Sequence, residues 1–155
     1  MTHKTQTSCL TDLLENRIFI QTKVCTKVQL LADLVKAVCK DAHLSEAEMT
    51  ARLLQREKEL STTLETGLSI PHLRVDELDR VVAALAILPK GLARKGKMTK
   101  AVFLFFSPAR PAFFQMHLKV LSTLAETFTP AFMDRLLTCT QTEEVQQLLI
   151  EKFQK

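Results

Sequence analysis

VVAALAIL, residues Val81–Leu88, is the longest uninterrupted apolar run of the chain, and a second run, AVFLFF, follows at Ala101–Phe106. Short apolar runs rich in β-branched and aromatic residues are typical of strands that are covered on both faces. Helices are the usual cover for such strands, because helices must also bury an apolar stripe. The two runs therefore predict a pair of central strands between layers of helices.

The segments before these runs carry strand and helix patterns. Ile18–Ile20 predicts a short strand. Ser45–Glu48 has the Ser-x-x-Glu form of a capping box, so we expect a helix to begin there and to continue to Glu57. An earlier helix, ending near Cys39, is predicted by apolar residues at helical spacing: Val28, Leu31, Leu34, Val35 and Val38.

Helical patterns also follow the second run. Pro130 suits the first turn of one helix, and Thr140–Glu143 offers a capping box for a last one. Before them, a helix running to about Thr127 has one stripe at His117, Val120, Leu121 and Leu124. We therefore predict an α/β fold: a single domain over residues 1–155, with a mixed β-sheet flanked by helices on both faces.

The composition is that of a globular domain, with 46% hydrophobic and 25% charged residues, which excludes a disordered or low-complexity chain. Residues 1–10 contain no apolar targeting segment, and Val81–Leu88 is too short to span a bilayer. We therefore expect a cytoplasmic protein without membrane insertion. The cysteines form no C-x-x-C pair, so we predict reduced, mostly buried thiols and no metal site: Cys9, Cys25, Cys39 and Cys139.

The formal net charge of +4 raises the question of nucleic-acid binding. Much of the excess positive charge lies between Lys90 and Lys100, which we interpret as a loop and not as a groove-reading helix. The chain has no Trp or Tyr to stack on bases. We therefore expect no nucleic-acid binding, and we keep a basic nucleic-acid binder as a third hypothesis.

The Pro71-His72 pair is the most informative polar feature. It ends a segment that begins in a charged helix near Arg56. Proline has a fixed φ and biases the preceding Ile70 toward an extended conformation, so the loop predicted here would hold the His72 imidazole stiffly. An ordinary surface histidine is the common alternative for such a pair. A rigidly presented imidazole is a candidate nucleophile.

Phosphoryl transfer to a histidine requires a neutral ring nitrogen, a group that fixes the tautomer, and positive charge or N–H donors at the phosphate oxygens. The chain supplies His72 as the nucleophile, His117 as a hydrogen-bond donor and Arg56 as a guanidinium that matches phosphate geometry. Arg74 would add charge near the entrance. Taken singly, each of the last three is more often a core histidine or a solvated arginine, so the prediction depends on their combination.

Two other catalytic readings fit the sequence less well. A metallohydrolase would use both histidines, but His72 and His117 are 45 positions apart and no H-x-x-x-H pair accompanies them. Ser-His-Asp hydrolysis lacks its nucleophile elbow, because the chain has no G-x-S-x-G motif.

The residues singled out above resemble a known family. The segment from Arg56-Glu57 to Pro71-His72, the apolar strands, and the helix HLKVLSTLA at 117–125 follow one another as in the fructose/mannitol-type enzyme IIA domains of the bacterial phosphotransferase system. The nitrogen-regulatory branch of that family is similar. The resemblance extends from Leu10 to about Phe153, and ordered agreement over that length is more specific than any one motif.

The resemblance implies a mixed β-sheet flanked by helices and a role as a phosphohistidine carrier. It implies that His72 is phosphorylated, that His117 is the second active-site histidine, and that Arg56 is the active-site arginine. The implied partners are an HPr-like phosphocarrier protein and either the cysteine of an EIIB domain or a regulatory target, with no cofactor. The sequence leaves the sugar and the oligomeric state open.

Three residues near the Pro-His pair depart from the family pattern. Thr63 and Glu65 stand where glycines are often found, and Leu73 stands where a small residue commonly follows the histidine. A bulkier loop, with a carboxylate that would repel phosphate if it pointed inward, motivates a second hypothesis. On that hypothesis the chain is an interaction module that keeps the fold and carries no phosphate.

Overall fold

The computed structural model describes residues 10–23, 25–59, 63–94 and 97–152. The helices are α1 (Leu10–Leu14), α2 (Lys27–Ala42), α3 (Glu46–Glu59), α4 (Phe114–Thr127), α5 (Pro130–Leu137) and α6 (Thr142–Lys152). The strands are β1 (Ile18–Ile20), β2 (Leu68–Ser69), β3 (His72–Val75), β4 (Val82–Arg94) and β5 (Lys97–Pro108). Both apolar runs are strands, as predicted.

The strands form one mixed sheet around the antiparallel pair β4–β5. Strand β1 pairs with β4 in parallel, and β2 and β3 pair in parallel with the other edge of β5. The two short strands are separated only by Ile70 and Pro71, and proline interrupts a ladder because it has no N–H to donate. In the resulting register His72 lies opposite Phe105, and Arg74 lies opposite Ser107.

Helices cover both faces of the sheet, as predicted. Alternate residues of β4 and β5, such as Leu85 and Phe103, pack in a cluster with α1, α4, α5 and α6. Their neighbours, such as Ala84 and Leu104, pack in a second cluster with α2 and α3. Because successive strand residues point to opposite faces, β4 and β5 contribute to both cores.

The helix ends follow the predicted patterns with two differences. Ser45 Oγ accepts a hydrogen bond from the backbone N–H of Glu48, as a capping residue does. The predicted box at Thr140–Glu143 is wrong by one position, because the carboxylate that accepts from the backbone N–H groups of Thr140 and Gln141 belongs to Glu144. Helix α1 was not predicted, because its five residues are too few to show a helical spacing of apolar residues.

The basic stretch between Lys90 and Lys100 is not the loop that we predicted. Its described residues lie in β4 and β5, which pair again beyond a register shift, with Leu92 opposite Thr99 and Ala93 opposite Met98. Thr99 is buried and Leu92 packs against the α2–α3 cluster, so one face of this extension continues the core. The lysines obscured the alternation in the sequence.

The cysteine and membrane expectations can be compared with the described residues. Cys39 and Cys139 are buried and Cys25 is half-buried, while Cys9 lies outside the described residues. Burial raises the pKa of the Cys39 thiol to about 11, which keeps it protonated at neutral pH. No helix in the described part of the chain is long and apolar enough to cross a membrane.

Candidate functional site

His72 is the first residue of β3, so it lies in a strand and not in the loop that the sequence predicted. Pairing with β5 places its ring against Phe105, with centroids 5.3 Å apart and planes tilted by only 12°. Its Nδ1 lies 2.6 Å from the carbonyl oxygen of Ile70. A carbonyl can only accept, so Nδ1 carries the proton and, in the neutral ring, Nε2 has the free lone pair.

His117 reaches the same place from helix α4. The two imidazole centroids are 5.3 Å apart, and Phe105 contacts the His117 ring at 5.3 Å as well. His117 Nδ1 lies 2.6 Å from the hydroxyl of Ser107, a fully buried residue of β5. The structure therefore brings the two predicted histidines together over one phenylalanine ring.

The two predicted arginines come from different elements, Arg56 from α3 and Arg74 from β3. Arg56 is an exposed residue in the last turn of α3, and its positive charge reaches both imidazoles. Arg74 is anchored more firmly: its Nη2 donates to the carbonyl oxygens of Pro108 at 2.9 Å and Arg110 at 3.1 Å. Its guanidinium also lies over the ring of Phe114, 5.4 Å from the centroid.

Burial and nearby cations keep both imidazoles neutral. The pKa of His72 is lowered by burial and by Arg56, although the hydrogen bond to Ile70 and the charge of Glu57 oppose that shift. The pKa of His117 falls to about 4, because of burial and then of the charges of His72, Arg74 and Arg56. At neutral pH the site therefore offers an uncharged nucleophilic nitrogen beside cationic groups.

Of the three residues that depart from the resemblance, Leu73 points away from the histidine pair. Leu73 is buried in the α2–α3 cluster, on the opposite face of the sheet from the ring of His72. Glu65 is exposed in a turn, and Thr63 forms an isolated antiparallel bridge with Ser69. The expectation of a bulkier loop around His72 is therefore wrong for Leu73, because strand geometry turns that side chain away.

Sequence reasoning missed two features of the site. Ser107 follows the apolar run Ala101–Phe106, and a hydroxyl at the end of a buried strand is the signal that marks it. A groove of about 500 Å³, beside the site, is lined by Arg74, Ala109, Arg110, Pro111 and Phe114. No group of three metal-ligating side chains is found among residues 10–23, 25–59, 63–94 and 97–152.

The arrangement suits the transient binding of a phosphoryl group. One imidazole has a free nitrogen, the second has its ring orientation set by a serine, and a guanidinium carries charge that matches phosphate oxygens. The surrounding side chains are held by strand pairing and by the core, so little reorganisation is needed on binding.

Comparisons with known proteins show what the chain is similar to. Residues 13–152 match the family model described as phosphoenolpyruvate-dependent sugar phosphotransferase system, EIIA 2. A curated relative from Haloferax volcanii, the fructose-specific EIIA component, is 31% identical over 103 residues, which are 64% of this chain. That match spans 66% of the relative's own length, slightly less than two thirds.

Two solved structures are similar over most of the chain. The nitrogen regulatory protein IIA-Ntr from Neisseria meningitidis has a TM-score of 0.80 and 28% identity, and the match covers 90% of this chain and 98% of that one. A complex of the mannitol enzyme IIA with phosphorylated enzyme IIB from Escherichia coli has a TM-score of 0.72 and 19% identity, with coverages of 88% and 95%. At that lower identity the second likeness shows the fold alone. Given the family match over residues 13–152, the chain belongs to the EIIA 2 family of the phosphoenolpyruvate-dependent sugar phosphotransferase system.

Proposed function

We propose that this chain is a phosphohistidine carrier that accepts a phosphoryl group on His72. The observation that carries the proposal is the pair of imidazoles 5.3 Å apart, with Nδ1 of His72 bonded to the Ile70 carbonyl. That bond leaves Nε2 as the nucleophilic atom. Family membership supports a phosphoryl carrier role in general.

In the proposed reaction, a phosphoryl group passes from a donor imidazole to His72. The lone pair of His72 Nε2 attacks the phosphorus of a donor phosphohistidine, and a new N–P bond forms as the donor's N–P bond breaks. The electron pair of the broken bond stays on the donor imidazole. Nδ1 of His72 keeps its proton, and its bond to the Ile70 carbonyl becomes stronger as the ring gains positive charge.

His117 and Arg56 act on the phosphoryl oxygens. His117 is bonded to Ser107 through Nδ1; if Ser107 donates there, the neutral ring has its proton on Nε2 and can donate to phosphate. Arg56 supplies positive charge where the oxygens concentrate negative charge. Onward transfer reverses the chemistry: a partner's cysteine thiolate attacks phosphorus, an S–P bond forms, and His72 leaves as a neutral imidazole.

The proposed donor is an HPr-like phosphocarrier protein, and the proposed acceptor is an EIIB cysteine. The complex of mannitol enzyme IIA with phosphorylated enzyme IIB supports an EIIB partner for this fold. The likeness to IIA-Ntr supports the alternative outcome, in which phosphorylated His72 is a regulatory signal. Phosphorylation adds about −1.5 to −2 charges at one point, enough to change which protein surface is bound.

The test is the intact mass of the protein after incubation with enzyme I, HPr and phosphoenolpyruvate. We expect a gain of one phosphate that is lost in His72→Ala and kept in His43→Ala, a matched control because His43 is exposed at the end of α2. If the wild type gains no phosphate while a known IIA domain is labelled in parallel, the chain is an interaction module that keeps the fold only.

A further inference from the structure

A buried ion pair lies next to the candidate site. Lys27 Nζ is 3.3 Å from Glu57 Oε1, and the side chains are only 9% and 10% exposed. Lys27 Nζ also lies 3.5 Å from the hydroxyl of Ser69, a fully buried residue of β2. The contacts thus join the start of α2, the end of α3 and the strand that leads into His72.

The positions of the two charges make helix stability a poor explanation. Lys27 is the first residue of α2, where the helix dipole disfavours a cation, and Glu57 is in the last turn of α3, where the dipole disfavours an anion. Buried ion pairs also contribute little net stability, because desolvation offsets their attraction. The pair is therefore better explained by what it holds in place.

Arg56 is the neighbour of Glu57 on α3 and sits in the same final turn. We propose that Lys27 is a positioning residue: by binding Glu57 it holds the end of α3 so that the Arg56 guanidinium faces the two imidazoles. The proposal rests on the proposed function for its catalytic consequence. Ser69 anchors Lys27 to the sheet, because it pairs with Val102 and its hydroxyl contacts Lys27 Nζ.

The test uses Lys27→Met/Glu57→Leu, in which both charges are removed together. A single Lys27→Met change would leave the buried Glu57 carboxylate without the charge of Lys27 and could prevent folding, whereas removal of both charges together is tolerated. We expect the double variant to fold and to accept phosphate from HPr at least about tenfold more slowly, the scale of a misplaced charged group. Lys36→Met is the matched control, because Lys36 is an exposed lysine of the same helix, and its rate should equal that of the wild type.

A second readout does not depend on phosphorylation. Arg56 lowers the pKa of both His72 and His117, so an NMR titration of the unphosphorylated protein reports whether its guanidinium still faces them. His117 is the reporter, because removal of Glu57 by itself lowers the pKa of His72. We expect the pKa of His117 to rise in the double variant, as it should in Arg56→Met. Adding Arg56→Met to the double variant should produce no further rise and no further loss of rate.

The outcomes separate the two proposals. If the wild type takes no phosphate, the carrier function fails, yet the titration still tests how Lys27 positions Arg56. If the double variant keeps the wild-type pKa of His117, or if Arg56→Met raises that pKa as strongly in the double variant as in the wild type, the positioning role of Lys27 is overturned.

Discussion

At the residue scale, the candidate site depends on two short hydrogen bonds, one at the Nδ1 atom of each imidazole, which fix the orientation of the two rings. The bond from His72 Nδ1 to Ile70 directs a free nitrogen outward, and the bond between His117 and Ser107 orients the second ring. Ile70 lies between two strands that both pair with β5, and Ser107 belongs to β5, so the protonation pattern of the site is coupled to strand pairing.

Removal of the serine hydroxyl tests its part in this arrangement. In Ser107→Ala, His117 Nδ1 is buried without its partner, and we expect a loss of about 1–3 kcal/mol in the free energy of unfolding. Phosphorylation of His72 should also be slower, because the His117 ring is no longer oriented. Urea unfolding and intact-mass time courses measure the two effects, with the exposed Ser122→Ala on α4 as the control. Equal rates in the two variants would contradict an orienting role.

The depressed pKa of His117 predicts how stability depends on pH. Its pKa is about 4 in the folded protein and near 6.5 when unfolded, so the unfolded state binds more protons between those values. Stability from this group is fully present above pH 6.5 and is lost as the pH falls toward 4, by on the order of 3 kcal/mol. Urea unfolding at several pH values should show that slope, and His117→Gln should reduce it.

At the element scale, the sequence predicted the long apolar strands and the amphipathic helices, because each carries its own periodicity. It did not predict β2 and β3, because neither short strand has the run of β-branched and aromatic residues that marked Ile18–Ile20. Their pairing with β5 is a long-range contact, so Pro71-His72 looked like a loop when read locally. The same limit hid Ser107 and Lys27, whose partners are distant in the chain.

Gly67 tests the turn that leads into β2. Its φ is +94°, and an added Cβ would lie 3.1 Å from the backbone oxygen of Met98 and 3.0 Å from Lys100 Cγ. We expect Gly67→Ala to lower the free energy of unfolding by about 1–3 kcal/mol and to slow phosphorylation, since the turn leads directly to β2.

The comparison variant is Gly91→Ala, in the part of β4 where the register with β5 shifts, between Ile87 and Leu92. Its φ of +69° is also unfavourable for alanine, but there the added Cβ meets only the flexible side chain of Met98. We expect a smaller loss of stability and an unchanged phosphorylation rate. Thermal unfolding and intact-mass assays on both variants would show whether Gly67 affects the site specifically.

At the scale of the whole molecule, β4 and β5 are shared by two hydrophobic clusters. Leu85 belongs to the cluster with α1 and α4–α6, and Leu104 belongs to the cluster with α2 and α3. Because every second residue of the same strands serves the other face, neither layer of helices has a sheet of its own. The sequence predicted this two-sided cover from the uninterrupted apolar character of Val81–Leu88.

The shared strands predict one cooperative unfolding unit. Leu85→Ala and Leu104→Ala should each cost about 2–5 kcal/mol, although they lie in different clusters. In both variants, urea unfolding followed by far-ultraviolet circular dichroism and by amide exchange should remain a single transition. Two separate transitions in either variant would show that the helical layers unfold independently.

Phe105 connects the candidate site to this architecture. Its benzene ring lies against both imidazoles, and its backbone lies in β5 between His72 of β3 and Ala83 of β4. A sliding of β3 along β5 by a single residue would turn His72 toward the opposite helical layer and leave Phe105 without its stacked neighbour. The candidate site therefore assembles only when β3 and β5 pair in their native register.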